Sequence, residues 1–188
     1  WGQYNGMRYQ DAYGILNFDY SRLDTSTGTW LDVIGSNLGL QTRELGVFWS
    51  RQGNWTLGGS YSELWSVNPH TVNSGVAGLG TTTPTATYLT GGAGSGYDHD
   101  PSTKRRALGV VGSKWLDGTF QLEGSVNTEK KTGNQLFGIG NNCPSTASSG
   151  CSFTPGSQSG FGVLYTPLPI DYNHTQVEAR LNYAGSSL

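Results

Sequence analysis

The side chains able to do chemistry in this 188-residue chain are few and scattered. Glu123 and Glu129 could supply the acid and base of a hydrolase, but their even spacing on an alternating segment puts both on one strand face, where water-solvated charges are the commoner reading. Glu178 and Arg180 stand at i and i+2, face the same way, and are expected to neutralise each other. Lys104-Arg-Arg106 reads as a strand-end anchor rather than a binding patch. Asp98-His-Asp100 offers oxygen and imidazole ligands to a cation, yet three adjacent residues make a poor cage. His70, His99 and His174 lie far apart, and no Ser/His/Asp set has supporting context. Cys143 and Cys151 fall in a Pro/Ser/Gly-rich stretch, a setting that suits a loop disulfide in an oxidising compartment. With no CxxCH motif, the chain has no covalent haem attachment of its own. The expectation is a chain with no catalytic, metal-binding or cofactor-binding residue.

Composition points the same way. The chain carries 29 glycines, 12% aromatic residues and 13% charged residues. Average globular domains have about 7% Gly and about 25% charge. A net charge of −2 gives no basic footprint for nucleic acid. No run approaches the ~18 apolar residues of a membrane-spanning helix, and no signal peptide opens the sequence.

The elements that would position these residues are strands. Phe120, Leu122, Gly124 and Val126 alternate with Gln121, Glu123, Ser125 and Asn127. The same period of two runs through Leu16, Phe18 and Tyr20 against Asn17, Asp19 and Ser21, and through Trp55, Leu57, Gly59 and Tyr61 against Thr56, Gly58, Ser60 and Ser62. It recurs at Val177, Ala179, Leu181 and Tyr183 against Glu178, Arg180 and Asn182. Weaker strands are expected at 29–37, 42–51 and 105–115. About seven strands result, each near the ~9–11 residues that cross a bilayer at a tilt.

Tight connections are expected at 24–28, 37–41, 52–54 and 116–118, and long Gly/Ser/Thr-rich loops at about 66–102 and 131–174. Outer-membrane barrels pair short periplasmic turns with long outer loops. If both long loops are outside, strand parity requires a further strand before residue 12, and the final strand lacks its hairpin partner. Residues 1–188 are therefore expected to be one partial domain, a stretch of a larger antiparallel up-and-down transmembrane β-barrel. A soluble β-sandwich also yields short alternating strands. The barrel is favoured by aromatic residues near strand ends, such as Trp49, Trp55, Trp65, Trp115 and Tyr183, because Trp and Tyr gather at membrane interfaces.

Motif order adds a family. Gly2-Gln-Tyr-Asn-Gly-Met7, Asp11-Ala-Tyr-Gly14 and Phe18-Asp-Tyr20 open the chain. Trp30, Asn37-Leu-Gly-Leu-Gln-Thr-Arg-Glu-Leu45, Gln52-Gly-Asn-Trp55 and Tyr61-Ser-Glu-Leu64 follow. Lys104-Arg-Arg-Ala-Leu-Gly109, Pro169-Ile-Asp-Tyr172, Val177-Glu-Ala179 and Tyr183-Ala-Gly185 come last. In this order they resemble the MtrB/PioB family of decahaem-associated outer-membrane proteins, barrels that ensheathe multihaem c-type cytochromes. Family members are several times longer, and the CxxC pair that some carry before the barrel is absent here.

The resemblance implies a bacterial outer-membrane sleeve, not an enzyme, through which a periplasmic decahaem c-type cytochrome threads to meet an outer-surface multihaem cytochrome. Haem c would belong to the partner, and the chain would need only lipid outside and cytochrome inside. Asn17, Asp19, Ser60, Ser62, Gln121, Glu123, Asn127, Glu178 and Arg180 are the candidate lumen-facing contacts. A solute-conducting porin is the alternative, and an outer-membrane hydrolase a more distant one. Roughly seven strands cannot enclose a cytochrome, since about eight leave only a side-chain-filled interior.

Overall fold

The computed structural model describes residues 4, 7, 12–78, 81–83, 85–86, 94–143 and 160–185. These form strands β1 (Leu16–Asp24), β2 (Thr29–Leu38), β3 (Arg43–Arg51), β4 (Trp55–Val67), β5 (Val72–Ser74), β6 (Val76–Ala77), β7 (Thr85–Ala86), β8 (Tyr97–His99), β9 (Ser102–Trp115), β10 (Phe120–Cys143) and β11 (Gly160–Tyr183). Seven of them make one antiparallel sheet in the order β1-β2-β3-β4-β9-β10-β11, each strand beside its predecessor in the chain apart from the insertion between β4 and β9. The all-β up-and-down expectation and its seven strands are thus observed. No helix among the described residues is long and apolar enough to cross a membrane.

The chain divides into two compact units. The first contains 1–66, 104–131 and 171–188. Its strands are joined by three turns at one end, each using a residue type that its geometry demands. At 25–28 the Asp24 carboxylate accepts bonds from the Ser26 amide and hydroxyl, and Gly28 takes φ +67°. Gly53 has φ +69° and Gly118 φ +80°, a left-handed region that a Cβ disfavours. At the opposite end Asn37 adopts φ 55° and closes a tight bend with Leu40 N–H donating to its carbonyl at 3.0 Å. Asn tolerates that conformation better than other side chains.

The second unit contains 67–103 and 132–170. Within it β5 pairs with β8 and β6 with β7, both antiparallel. The expected loop at 66–102 therefore carries small sheets of its own. The expected loop at 131–174 is corrected more strongly: residues 131–143 and 160–174 are strand, and β10 and β11 each run 24 residues. That is more than twice a bilayer crossing. The stretch Thr132-Gly-Asn-Gln-Leu-Phe137 lacks alternation, so pairing with a neighbouring strand, not local pattern, extends the ladder there. The expected pairing of Cys143 with Cys151 falls outside the described residues, because Cys151 is not among them.

Register fixes two faces in the first unit. Val33 pairs with Tyr20 and Val47, and Val47 with Gly59; Leu31 pairs with Trp49, and Trp49 with Leu57. The first row is apolar across four strands, and the second across three, with Arg22 opposite Leu31 on the edge strand β1. The face continues on β9 through Val110, which lines a hollow of about 630 Å³ with Leu31, Val47, Trp49 and Leu57. It ends on β10 and β11, where the Phe120 and Tyr183 rings meet at 5.2 Å. Nothing packs over it among the described residues: Leu57 is 48% exposed and Val177 70%. A sandwich would bury this face. The only buried large aliphatics among the described residues are Leu40, Val67 and Val76.

Candidate functional site

The other face of the same strands carries the polar residues that the alternation singled out. Ser60 and Asn127 meet across Gly109, where an added Cβ would fall 2.7 Å from Ser60 Oγ and 2.8 Å from Asn127 Oδ1. That contact ties β4, β9 and β10 to one face. Ser62 is two residues from Ser60 and pairs with Glu44. Gln121 and Glu123 share the parity of Asn127, and Arg180 reaches Glu123 at 3.8 Å from β11. Asp19 pairs with Ile34 in the row that continues to Gly46 and Ser60. Thr56, Ser113, Glu123, Ser125, Glu178 and Arg180 line an open groove of about 790 Å³ on this side. Asn17 stands apart, at the strand end: its side-chain carbonyl accepts the Asn37 amide at 2.6 Å and so caps the bend.

Some of the charges on this wall are paired across strands. Glu178 and Arg180 do not neutralise each other as expected. Arg180 turns to Glu123, and Glu178 accepts from Gln176 Nε2 at 2.5 Å. Glu129 is held by Arg105 at 3.2 Å and by the Tyr172 hydroxyl at 3.4 Å, so neither Glu123 nor Glu129 faces the other as an acid–base pair.

The wall is not uniformly polar. Trp30, Ile34 and Phe48 occupy its parity and are each just over 40% exposed. Gly58 makes room for Phe48 and Val111: a Cβ there would come within 2.8 Å of the Phe48 ring and 2.9 Å of Val111. Phe48 and Val111 thus meet over Gly58, and Trp30 and Ile34 stand exposed among Ser, Glu and Gln side chains.

In the second unit Asp98, His99 and Asp100 diverge. Asp98 accepts from Asn73 Nδ2 at 2.7 Å, His99 Nε2 lies 3.2 Å from Asn134 Oδ1, and Asp100 accepts from Thr71 Oγ1 at 2.6 Å. Among the described residues, no three His, Cys, Asp or Glu side chains converge in a way that could hold a metal ion.

One cluster escaped sequence reasoning. Glu63, on the apolar face of β4, is 3% exposed. Its Oε1 takes Arg106 Nε at 2.9 Å and Lys104 Nζ at 3.3 Å, and its Oε2 has Arg43 Nε at 2.8 Å. The Arg43 approach has ion-pair distance without hydrogen-bond alignment, leaving Oε2 with no well-angled donor among the described residues. Tyr61, two residues back on the same face, also interacts with this carboxylate through its hydroxyl. The signal present in the sequence was the i, i+2 pairing of Lys104 and Arg106, which puts two cations on one strand face.

Comparison with known proteins bears on the whole chain. A family model described as "Putative outer membrane beta-barrel porin, MtrB/PioB" matches residues 1–188. No curated protein matches the chain.

Proposed function

The chain belongs to the MtrB/PioB family of bacterial outer-membrane β-barrels, and from that premise we propose that it forms part of a sheath holding a multihaem c-type cytochrome in the lumen. The family is one of porins rather than enzymes, so its work is passage across the outer membrane. On this reading the apolar face meets lipid, and the face bearing Asp19, Ser60, Ser62, Gln121, Glu123, Asn127, Glu178 and Arg180 meets the cytochrome. The protein excludes lipid and fixes a chain of haems that belong to its partner. Electrons then pass to an outer-surface multihaem protein, and the barrel makes and breaks no bonds.

The observation that carries the proposal is the exposure of Trp30, Ile34, Phe48 and Val111 on an otherwise polar wall. A water-filled pore gains nothing from exposed aromatic rings, whereas a protein–protein interface combines apolar and aromatic anchors with a polar rim. The Arg180–Glu123 and Arg105–Glu129 pairs fit the same picture, since an ion channel works with charges left open to the solute. The motif order of the sequence supplies the class of partner.

Extraction of the native complex in mild detergent tests this. A haem absorption band should co-purify with the barrel in stoichiometric amount. In proteoliposomes loaded with a reducible dye, the complex should transfer electrons and lose that activity when the barrel is omitted. Steady ion conductance of the isolated barrel in planar bilayers, with no haem protein recovered, would instead establish a solute porin.

A further inference from the structure

We propose that the basic cluster around Glu63 is a binding site for the phosphate-bearing headgroup of an anionic membrane lipid, held at the border of the apolar face. It rests on the assignment of that face to lipid made above.

Charge is the first support. Three cations, Arg43, Lys104 and Arg106, share one carboxylate, so the cluster has two positive charges in excess. The Glu63 side chain is 2% exposed, whereas those of Arg43 and Arg106 are 44% and 57% exposed. The anion that gathers the cations is covered, and the cations themselves are presented outward. Three like charges within reach of one carboxylate favour a second anion, and guanidinium groups bind phosphate oxygens with charge-assisted bonds.

Position is the second. On the same face, and directly toward the turn end, Arg43 is followed by Leu45 and Val47, Glu63 by Tyr61 and Leu57, and Arg106 by Leu108 and Val110. A ligand with an anionic head and acyl tails satisfies both regions at once; a free anion uses only the first. From the Arg51–Trp55 pair to the Arg43–Glu63 pair is eight residues on each strand. That is roughly 27 Å along the strand and roughly 20 Å along the membrane normal at ~40° tilt, against an apolar belt of about 25 Å. With Trp49 and Trp55 stacked edge-on at 4.8 Å near one boundary, the cluster falls at the other, at headgroup level.

The full-length barrel in a neutral maltoside detergent, titrated with phosphatidic acid, with phosphatidylcholine of the same chain length and with inorganic phosphate, tests the site by native mass spectrometry. Phosphatidic acid should be retained at least about tenfold better than phosphatidylcholine, and R43Q/R106Q should remove that preference. Folding of the variant is checked by its heat-dependent gel mobility, and if it does not fold, R43Q and R106Q alone should each lower the preference severalfold. Equal retention of the two lipids, or a preference unchanged in the folded variants, overturns the proposal. Inorganic phosphate that competes as well as phosphatidic acid would make the site one for free anions and also overturns it. Brominated-chain phosphatidylcholine should quench the tryptophan fluorescence, less so in W49F/W55F. Absence of that difference would sink the lipid-face assignment itself; its presence without any phosphatidic acid preference would sink the cluster alone.

Discussion

Val47 and Phe48 are adjacent in β3, both are about 40% exposed, and they look into different surroundings. Val47 continues an unbroken apolar row from Tyr20 and Val33 to Gly59, while Phe48 pairs with Asp32 and Gly58 among polar neighbours. Exposure alone does not separate the two faces. What separates them is continuity: apart from Arg22 on the edge strand β1, the first face has no charged group between its two boundary rows, and the second never runs three rows without a polar one. A uniform solvent such as the acyl chains of a bilayer demands the first, and a patterned protein surface rewards the second.

The largest expected effect comes from placing a charge in the continuous face. V47R should destabilise the folded barrel in lipid by about 2–4 kcal/mol, whereas S125R on the opposite face should cost less than about 1 kcal/mol in the absence of a partner. Urea unfolding in vesicles, followed by tryptophan fluorescence, measures both. Equal costs would erase the distinction between the faces.

E63Q comes next. It removes the charge that holds Arg43, Lys104 and Arg106 together at the boundary row. Losing one partner of a fully buried pair costs about 3–5 kcal/mol, and the exposure of the two arginines reduces this to an expected ~2 kcal/mol in the same assay. A neutral result would mean that the cations are solvated independently.

G58A tests the Phe48–Val111 patch on the mixed face. Its Cβ would press on Phe48 and Val111, at an expected cost of about 1 kcal/mol. Recovery of haem protein should fall by more than stability does, because the patch is displaced. If the two fall together, the patch is merely packing.

The smallest effect belongs to a position on neither face. Asp117 accepts the Thr119 and Phe120 amides at 3.0 Å each, and those bonds hold its carboxyl below the usual value of 3.8. A group whose pKa is lower when folded contributes stability above its unfolded pKa and loses it as pH falls through the folded one. Protection of those two amides from hydrogen exchange should therefore decline below about pH 4 in the wild type. In D117A it should be low throughout, with both faces unaffected.

The alternation of single residues was enough to identify the seven strands, the turn residues Gly28, Gly53 and Gly118, and the polar set from Asp19 to Arg180, because side-chain parity in a strand is a local property. The far halves of β10 and β11 were not legible, since Gly, Thr and Asn carry no period in β10 and Pro167 and Pro169 argue against a strand in β11; both are strand through their neighbours. Nor were the partners of the charges. Arg43, Glu63 and Arg106 are separated by 20 and 43 residues, and only the register of β3, β4 and β9 brings them to one carboxylate. Arg180 likewise chose Glu123 over the nearer-in-sequence Glu178. The sequence by itself determined which way each side chain points; the tertiary structure decided which side chain it meets, because parity repeats every two residues while a contact depends on how whole strands are aligned.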